Sequence, residues 1–175
     1  MNELEKKLKI IKYSKFFEKN KLSPIRSGNI SVRHKRKKLE GFLISPSGKK
    51  NIELRTKDIV FVNMNGEAEK NMQPSSEWRF HLDIYKSKKC NAIVHAHSKF
   101  SVICSCLFNE IPSFHYMVAL TEAKIIKVAK YALFGSKKLS NNITKAIKNS
   151  KSCLISNHGQ LTIGQSLDKA YELAE

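Results

Sequence analysis

The segment NAIVHAHSKF, residues 91–100, sets two histidines one residue apart inside a short apolar run. Ile93 and Val94 mark a buried strand, and strand side chains alternate between faces, so residues i and i+2 share one. His95 and His97 therefore project side by side. Two neighbouring imidazoles on a buried face need either a satisfied hydrogen-bond network or a metal ion, and this spacing alone leaves both open. On either side lie helical patterns. PSSEWRFHLDIYKS (74–87) opens with serines suited to an N-cap and an acid in the first turn, and SKFSVICSCLF (98–108) is a second apolar helix. A strand set between helices points to an α/β chain.

Working outward, GNISVRHKRKKLEGFLISPSG (28–48) alternates like two strands around a charged turn. DIVFVNMNGEAE (58–69) repeats the theme, with Asn65-Gly66 as a hairpin signal. The first twenty residues predict an amphipathic helix with Leu4, Leu8, Ile11 and Phe16 on its apolar side. Towards the C-terminus, IPSFHYMVAL (111–120) reads as a loop passing into a short strand. KLSNNITKAIKNS (138–150) reads as a helix, SCLIS (152–156) as a strand, NHGQ (157–160) as a loop and SLDKAYELAE (166–175) as a closing helix. Interleaved strands and helices, hairpin-like strand neighbours and no internal repeat predict an α/β (mixed, three-layer) fold, a central mostly antiparallel sheet flanked by helices. No low-complexity linker interrupts the chain, so residues 1–175 are expected to form a single domain.

Composition narrows the function classes. No run approaches the roughly 20 apolar residues of a membrane span, and the N-terminal stretch lacks the apolar core and cleavage site of a secretory leader. A cytoplasmic protein with no membrane partner is expected. The four cysteines, Cys90, Cys104, Cys106 and Cys153, follow no disulfide or C-x-x-C pattern, so reduced, mostly buried thiols are expected. The net charge is +17, from 32 Lys and Arg against 15 Asp and Glu, which favours anionic partners. Yet 27 of those cations are Lys and only 5 are Arg, whereas base and phosphate readers favour the forked guanidinium. The densest run, RHKRKK (33–38), falls between two strands and reads as a solvated hairpin tip, so nucleic acid is not the expected partner.

His158, in SNHGQ, lies at a strand end where glycine permits a tight turn. Three histidines at strand ends could supply a three-imidazole site for a borderline ion such as Zn²⁺, leaving a position open for catalysis. Glu77, after Ser75-Ser76, is either a capping acid at a helix start or a general base beside that ion. RSGN (26–29) and SPSG (45–48) are ordinary turns taken singly. Together with the hydroxyls and free amides at residues 75–77, three such turns in one small basic protein favour a phosphate-binding nest.

The ordered set SGNISV, ISPSG, PSSEWRFH, AIVHAHS, IPSFHYMVA, YALFGS and SNHGQ resembles the class II aldolase/adducin family, from about residue 5 to the last residue. SSEWRFH and the block from IPSFHYM to YALFGS resemble its aldolase branch, whereas the epimerase branch typically carries Asp where this chain has Glu77. The resemblance implies that His95, His97 and His158 bind one catalytic Zn²⁺ per subunit, another divalent ion also being admissible. Glu77 would be the acid/base and an additional ligand in the resting state. Gly28, Asn29, Ser47, Gly48, Ser75 and Ser76 match the family's substrate phosphate-binding positions, and Tyr116 a catalytic tyrosine that polarises the aldehyde. It further implies a homotetramer with active sites at subunit interfaces, and a lyase that reversibly cleaves a fuculose-1-phosphate-like ketose 1-phosphate to dihydroxyacetone phosphate and an aldehyde. Lewis-acid stabilisation of the resulting enediolate charge is what the metal would supply.

Two departures from the family pattern stand out. LTEAKIIKVAKY (120–131) follows the tyrosine where the aldolase branch often has small residues, so this loop is expected to shape the aldehyde pocket. The sequence reaches Glu175 early in what the family extends as a long C-terminal helix and tail, which in longer members supplies a tyrosine to a neighbouring site. The alternatives are an epimerase, dehydratase or decarboxylase of the same fold, or a non-catalytic adducin-like binding module, which would lack the metal ligands.

Overall fold

Alternation along the strands decides which helix covers which face of the sheet. The computed structural model describes residues 1–24 and 26–175. The elements are α1 (Glu3–Lys19), β1 (Asn29–Arg36), β2 (Leu39–Ile44), β3 (Val60–Asn63), α2 (Trp78–Ser87), β4 (Ala92–Ala96) and α3 (Lys99–Leu107), then β5 (Glu110–Ile111), β6 (Ile126–Ala129), α4 (Lys137–Ala146), β7 (Ser152–Ile155), β8 (Gly159–Gly164) and α5 (Leu167–Ala174). The strands form one sheet in the order β3-β2-β1-β4-β8-β7-β6-β5. Only β6 and β7 pair in parallel; every other neighbouring pair is antiparallel.

Even and odd positions separate cleanly. Ile30, Val32, Leu43, Phe61, Ala92, Val94 and Ala96 join a core with Ile10 and Phe17 of α1 and Ala170 and Tyr171 of α5. Phe42, Ile44, Val60, Val62, Ile93, Leu161 and Ile163 join the opposite core, with Phe80 and Ile84 of α2 and Leu139 and Ile143 of α4. Helices therefore cover both faces, giving the three layers. Within the second layer the inward positions Asn29, Ser31 and His95 are polar and buried beneath α2. That polar strip carries the site. None of the described helices is long and apolar enough to cross a membrane.

The structure corrects several local expectations. In α1 the buried stripe is Ile10, Ile11, Ser14 and Phe17, while Leu4 and Leu8 are exposed. The first turn of that helix is fastened by charge instead. Arg36 donates to the Glu3 carboxylate from Nε at 2.8 Å and Nη2 at 2.5 Å, and from Nη1 to Glu69 at 2.6 Å. The basic run is thus only partly a solvated tip: Lys35, Lys37 and Lys38 are exposed, but Arg33 donates to the carbonyls of Tyr85 and Cys90. Residues 116–121 form a 3-10 turn rather than a strand. Residues 126–129 become β6, and 159–164, read only as a loop followed by a gap, become β8. Both were hidden by the same cause. Their strand character depends on pairing with β7, which local pattern does not report. Cys90 and Cys153 are buried and unpaired, whereas Cys106 is exposed.

The Arg36 hydrogen bonds are the largest influence on Glu3, and despite partial burial they hold its carboxyl at about 2, below the ordinary 4.5. A depressed carboxyl contributes stability above its unfolded value and loses it as pH falls towards the folded one. Glu3→Gln should therefore cost about 0.5–1 kcal/mol near neutral pH, discounted for partial exposure. Urea melts should show that gap closing as pH approaches about 2; a gap that persists there would mean packing, not charge, fastens the turn.

Candidate metal and phosphate site

The site is assembled where β1 begins, β4 ends, the β7–β8 hairpin turns and α2 starts. Ser75 N–H donates to the Ser45 carbonyl at 3.0 Å, and Ser47 N–H to the Gln73 carbonyl at 3.3 Å. These bonds dock the turn at 45–48 against the approach to α2. Gly28 completes the cradle: its φ is +78°, and a Cβ there would lie 2.8 Å from the His95 carbonyl oxygen. Only glycine takes that conformation so close to another backbone without strain. A cavity of about 280 Å³ results, lined by Gly28, Asn29, Ser47, Gly48, Ser75 and Ser76 and also by Glu77, His97 and His158.

Each of Glu77, His95, His97 and His158 turns one donor atom inward, and the four atoms lie within 4.8 Å of one another. β4 supplies His95, and His97 follows one residue past the strand end at Ala96. His158 arrives from the hairpin turn, where Asn157 is left-handed at φ 53° and Gly159 lets β8 pass tightly by β4. A Cβ on Gly159 would meet the Ala96 carbonyl oxygen at 2.4 Å and the His97 ring at 3.0 Å. His95 Nδ1 is 2.8 Å from the Gln160 carbonyl oxygen. A carbonyl only accepts, so Nδ1 carries the hydrogen and Nε2 faces the cluster. There it lies 2.8 Å from His97 Nε2 and 3.2 Å from Glu77 Oε2. His158 Nε2 is 3.4 Å from Glu77 Oε1.

The electrostatics agree with this arrangement. Burial pushes the Glu77 carboxyl up, but His95 foremost, then His158 and His97, outweigh it and hold it at about 2. Burial, with the charge on His95, pushes His97 down to about 3 and His158 to about 4, so both are neutral at neutral pH with lone pairs to offer. Burial also opposes charge on His95, yet the Glu77 carboxylate raises it. Glu77 Oε1 is buried without a hydrogen-bond partner, a costly state for an ionised oxygen. Three imidazoles and one carboxylate around an orphaned oxygen fit a borderline divalent cation, and the bond from His95 to a backbone carbonyl is the outer support such a ligand needs.

Each candidate residue from the sequence has a definite place. Glu77 is the N-cap residue of α2 and makes no side-chain capping bond, so the helix-capping alternative fails. The Asn29 carboxamide is already committed: Nδ2 donates to Glu77 Oε2 at 3.0 Å and Oδ1 accepts from His81 Nε2 at 2.5 Å. Ser75 Oγ accepts from Glu77 N–H. Ser47, Gly48 and Ser76 remain exposed to the cavity. Tyr116 lies on the 3-10 turn, 81% exposed, and does not line the cavity, nor does any residue of 120–131. Arg26 and Ser27, from the RSGN turn, and Phe134, from YALFGS, also line it, although none of the three is assigned a role by sequence alone. For Phe134 a signal existed: it is an apolar residue before Gly135 (φ +72°), where an added Cβ would lie 2.8 Å from the Ser76 carbonyl oxygen.

Purified chain should carry about one divalent ion, measured by elemental analysis after dialysis, and His95→Ala and His158→Ala should lose it. Gly159→Ala keeps all four ligands but moves the hairpin, and should weaken metal binding by about 10- to 100-fold. Unchanged affinity in that variant would show that the close approach of β8 does not set the ligand geometry.

Comparison with known proteins covers nearly the whole chain. The family model described as the Class II Aldolase and Adducin N-terminal domain matches residues 8–175. An L-fuculose phosphate aldolase from Haemophilus influenzae is 42% identical over 176 residues, covering 100% of this chain and 80% of that one. A 5-methylthioribulose-1-phosphate/5-deoxyribulose-1-phosphate aldolase from Rhodospirillum rubrum is 42% identical over 149 residues, covering 85% of this chain and 66% of that one. Among solved structures, an L-fuculose 1-phosphate aldolase superposes with a TM-score of 0.91 at 36% identity, covering 97% of this chain and 80% of that chain. On this evidence the chain belongs to the class II aldolase and adducin family.

Proposed function

We propose that this protein is a zinc-dependent class II aldolase that reversibly cleaves a ketose 1-phosphate to dihydroxyacetone phosphate and an aldehyde. The observation that carries the reading is that Glu77, His97 and His158 line the same cavity as the Gly/Ser turns at 26–29, 46–48 and 75–76. A phosphate held by those turns and by Arg26 would present the adjacent carbons of the ketose to the carboxylate. Breaking the C3–C4 bond leaves the electron pair on C3, delocalised towards the C2 oxygen, while the C4 hydroxyl proton departs as the aldehyde carbonyl forms. His95, His97 and His158 would hold the cation, which supplies Lewis acidity for that charge. Glu77 Oε1, buried without a hydrogen-bond partner, would accept the proton that the C4 hydroxyl loses and pass it to C3, regenerating the carboxylate, and would run the same transfer in reverse for addition.

The aldehyde half is read from the rim, where Phe134 lines the cavity while 63% exposed. An apolar ring there suits an aldehyde ending in a methyl or thioether group, as the names of both relatives would require. Phe100 (77% exposed), Leu107 (70%), Phe114 (75%) and Tyr116 (81%) give α3 and the following turns a broad apolar exposure. Such a patch supports self-association, and the homotetramer expected from sequence would bring Tyr116 of one copy to the cavity of another. The reading takes residues 1–175 as one domain, which the unbroken sheet supports, and four unpaired cysteines suit a reducing cytoplasm.

A panel of ketose 1-phosphates (fuculose, 5-deoxyribulose and 5-methylthioribulose esters), with coupled detection of dihydroxyacetone phosphate, tests the assignment. Cleavage of at least one with zinc present is expected, and cleavage of none sinks it. Glu77→Gln should lower kcat by about 10²- to 10⁴-fold while keeping the ion on its three imidazoles. Tyr116→Phe should lower kcat without altering metal content, and light scattering should report a tetramer.

A further inference from the structure

Beneath α2 a chain of buried polar side chains runs from Tyr85 to Glu77. Tyr85 OH is 2.8 Å from Ser31 Oγ, Ser31 Oγ is 2.7 Å from His81 Nδ1, His81 Nε2 is 2.5 Å from Asn29 Oδ1, and Asn29 Nδ2 is 3.0 Å from Glu77 Oε2. Relative exposures are 0% for Ser31 and His81, 3% for Tyr85, 4% for Asn29 and 7% for Glu77, so protein partners alone must satisfy these groups.

The direction of every hydrogen follows from one end. The Glu77 carboxylate only accepts, so Asn29 must turn its NH₂ towards it and its Oδ1 towards His81. Oδ1 in turn only accepts, so His81 carries its hydrogen on Nε2. A neutral ring then has a lone pair on Nδ1, which accepts from the Ser31 hydroxyl, and Ser31 accepts from the Tyr85 hydroxyl. Charging the ring would reverse Ser31, which would then accept from Nδ1 and donate to Tyr85, leaving the Tyr85 hydroxyl hydrogen without an acceptor in the chain; burial already pushes His81 down to about 3. The four dipoles point the same way, towards Glu77, and chains of this kind strengthen one another in a low-dielectric interior. Phe80 stacks on the His81 ring at 4.7 Å between centroids and fixes its plane.

We propose that His81 is a positioning residue that locks the Asn29 carboxamide against Glu77 Oε2, so that Glu77 works through Oε1 alone. The role rests on Glu77 being the acid/base of the aldolase reading. It explains why one carboxylate oxygen is held by an amide donor while its twin is buried without one. It also removes the Asn29 side chain from the set of groups free to bind phosphate.

Two measurements test this. Nitrogen-15 NMR of wild-type protein labelled at histidine should show His81 neutral, with the hydrogen on Nε2, across about pH 6–8; an Nδ1–H or a charged ring would overturn the relay. In kinetics, His81→Leu should lower kcat at least about tenfold, with KM for the ketose phosphate and the metal content held within about threefold. His81→Gln, whose amide nitrogen can still donate to Asn29, should recover most of that loss. Full kcat in the leucine variant, or equal loss in both, would overturn the role. Should the leucine variant fail to fold, the tautomer measurement on wild type still decides. A wild type that cleaves no ketose phosphate sinks the aldolase reading, whereas active wild type with the other tautomer sinks only this inference.

Discussion

The approach of Glu77 Oε2 to His95 Nε2, 3.2 Å apart in a buried strip under α2, is the contact on which the rest of the site depends. One partner is the N-cap residue of a helix and the other the penultimate residue of a central strand. Joining them ties the second helical layer to the middle of the sheet at the point where β1, β4 and β8 converge. An ionised carboxylate in that position would be heavily penalised without compensation. Three imidazoles, an asparagine amide and the backbone of the β7–β8 hairpin all close around it. What looks like a set of separate motifs is one electrostatic problem with several contributors.

The solution has a price in apolar packing. β1 faces α2 with Asn29 and Ser31 where β2 offers Phe42 and Ile44 and β3 offers Val60 and Val62. The sheet is therefore hydrophobic at its β3-β2 side and polar at its centre on the same face. Stability on that face comes from Phe80, Ile84, Leu139 and Ile143 around the polar strip rather than across it. On the opposite face, where α1 and α5 lie, the same strands offer Ile30, Val32, Leu43 and Phe61, with His34 and Arg36 meeting Glu3 of α1 towards the β1–β2 turn. The two sides of one strand thus carry different duties, and alternation keeps them apart.

The cationic side chains are likewise divided between the open surface and fixed partners. The high positive charge is carried mostly by exposed lysines, and the arginines nearest the β1–β2 turn are consumed by Glu3, Glu69 and backbone carbonyls. Arg26, which donates to the Gly48 carbonyl at 3.3 Å, is an arginine that lines the cavity. A general basic field and a single placed guanidinium do different work: the first concentrates anions and the second orients one.

The pairing of His95 with His97 was determined by sequence alone, because a strand has a period of two wherever it sits. So were the α/β class, the β1–β2 hairpin and the Gly/Ser turns, each set by local pattern or by residues that tolerate unusual backbone angles. The family motifs supplied His158 and Glu77 as partners across long sequence separations. Only the tertiary structure decided the rest. β6 and β8 are strands because β7 lies beside them, and α1 buries Ile10, Ser14 and Phe17 while Leu4 and Leu8 stay exposed and Arg36 ties its first turn. Asn29 turns from phosphate towards Glu77 because His81, fifty-two residues away, holds its other end. Tyr116 stands clear of the cavity its own chain builds. Periodicity reports the face a residue occupies; which group waits on that face depends on contacts that no local pattern encodes.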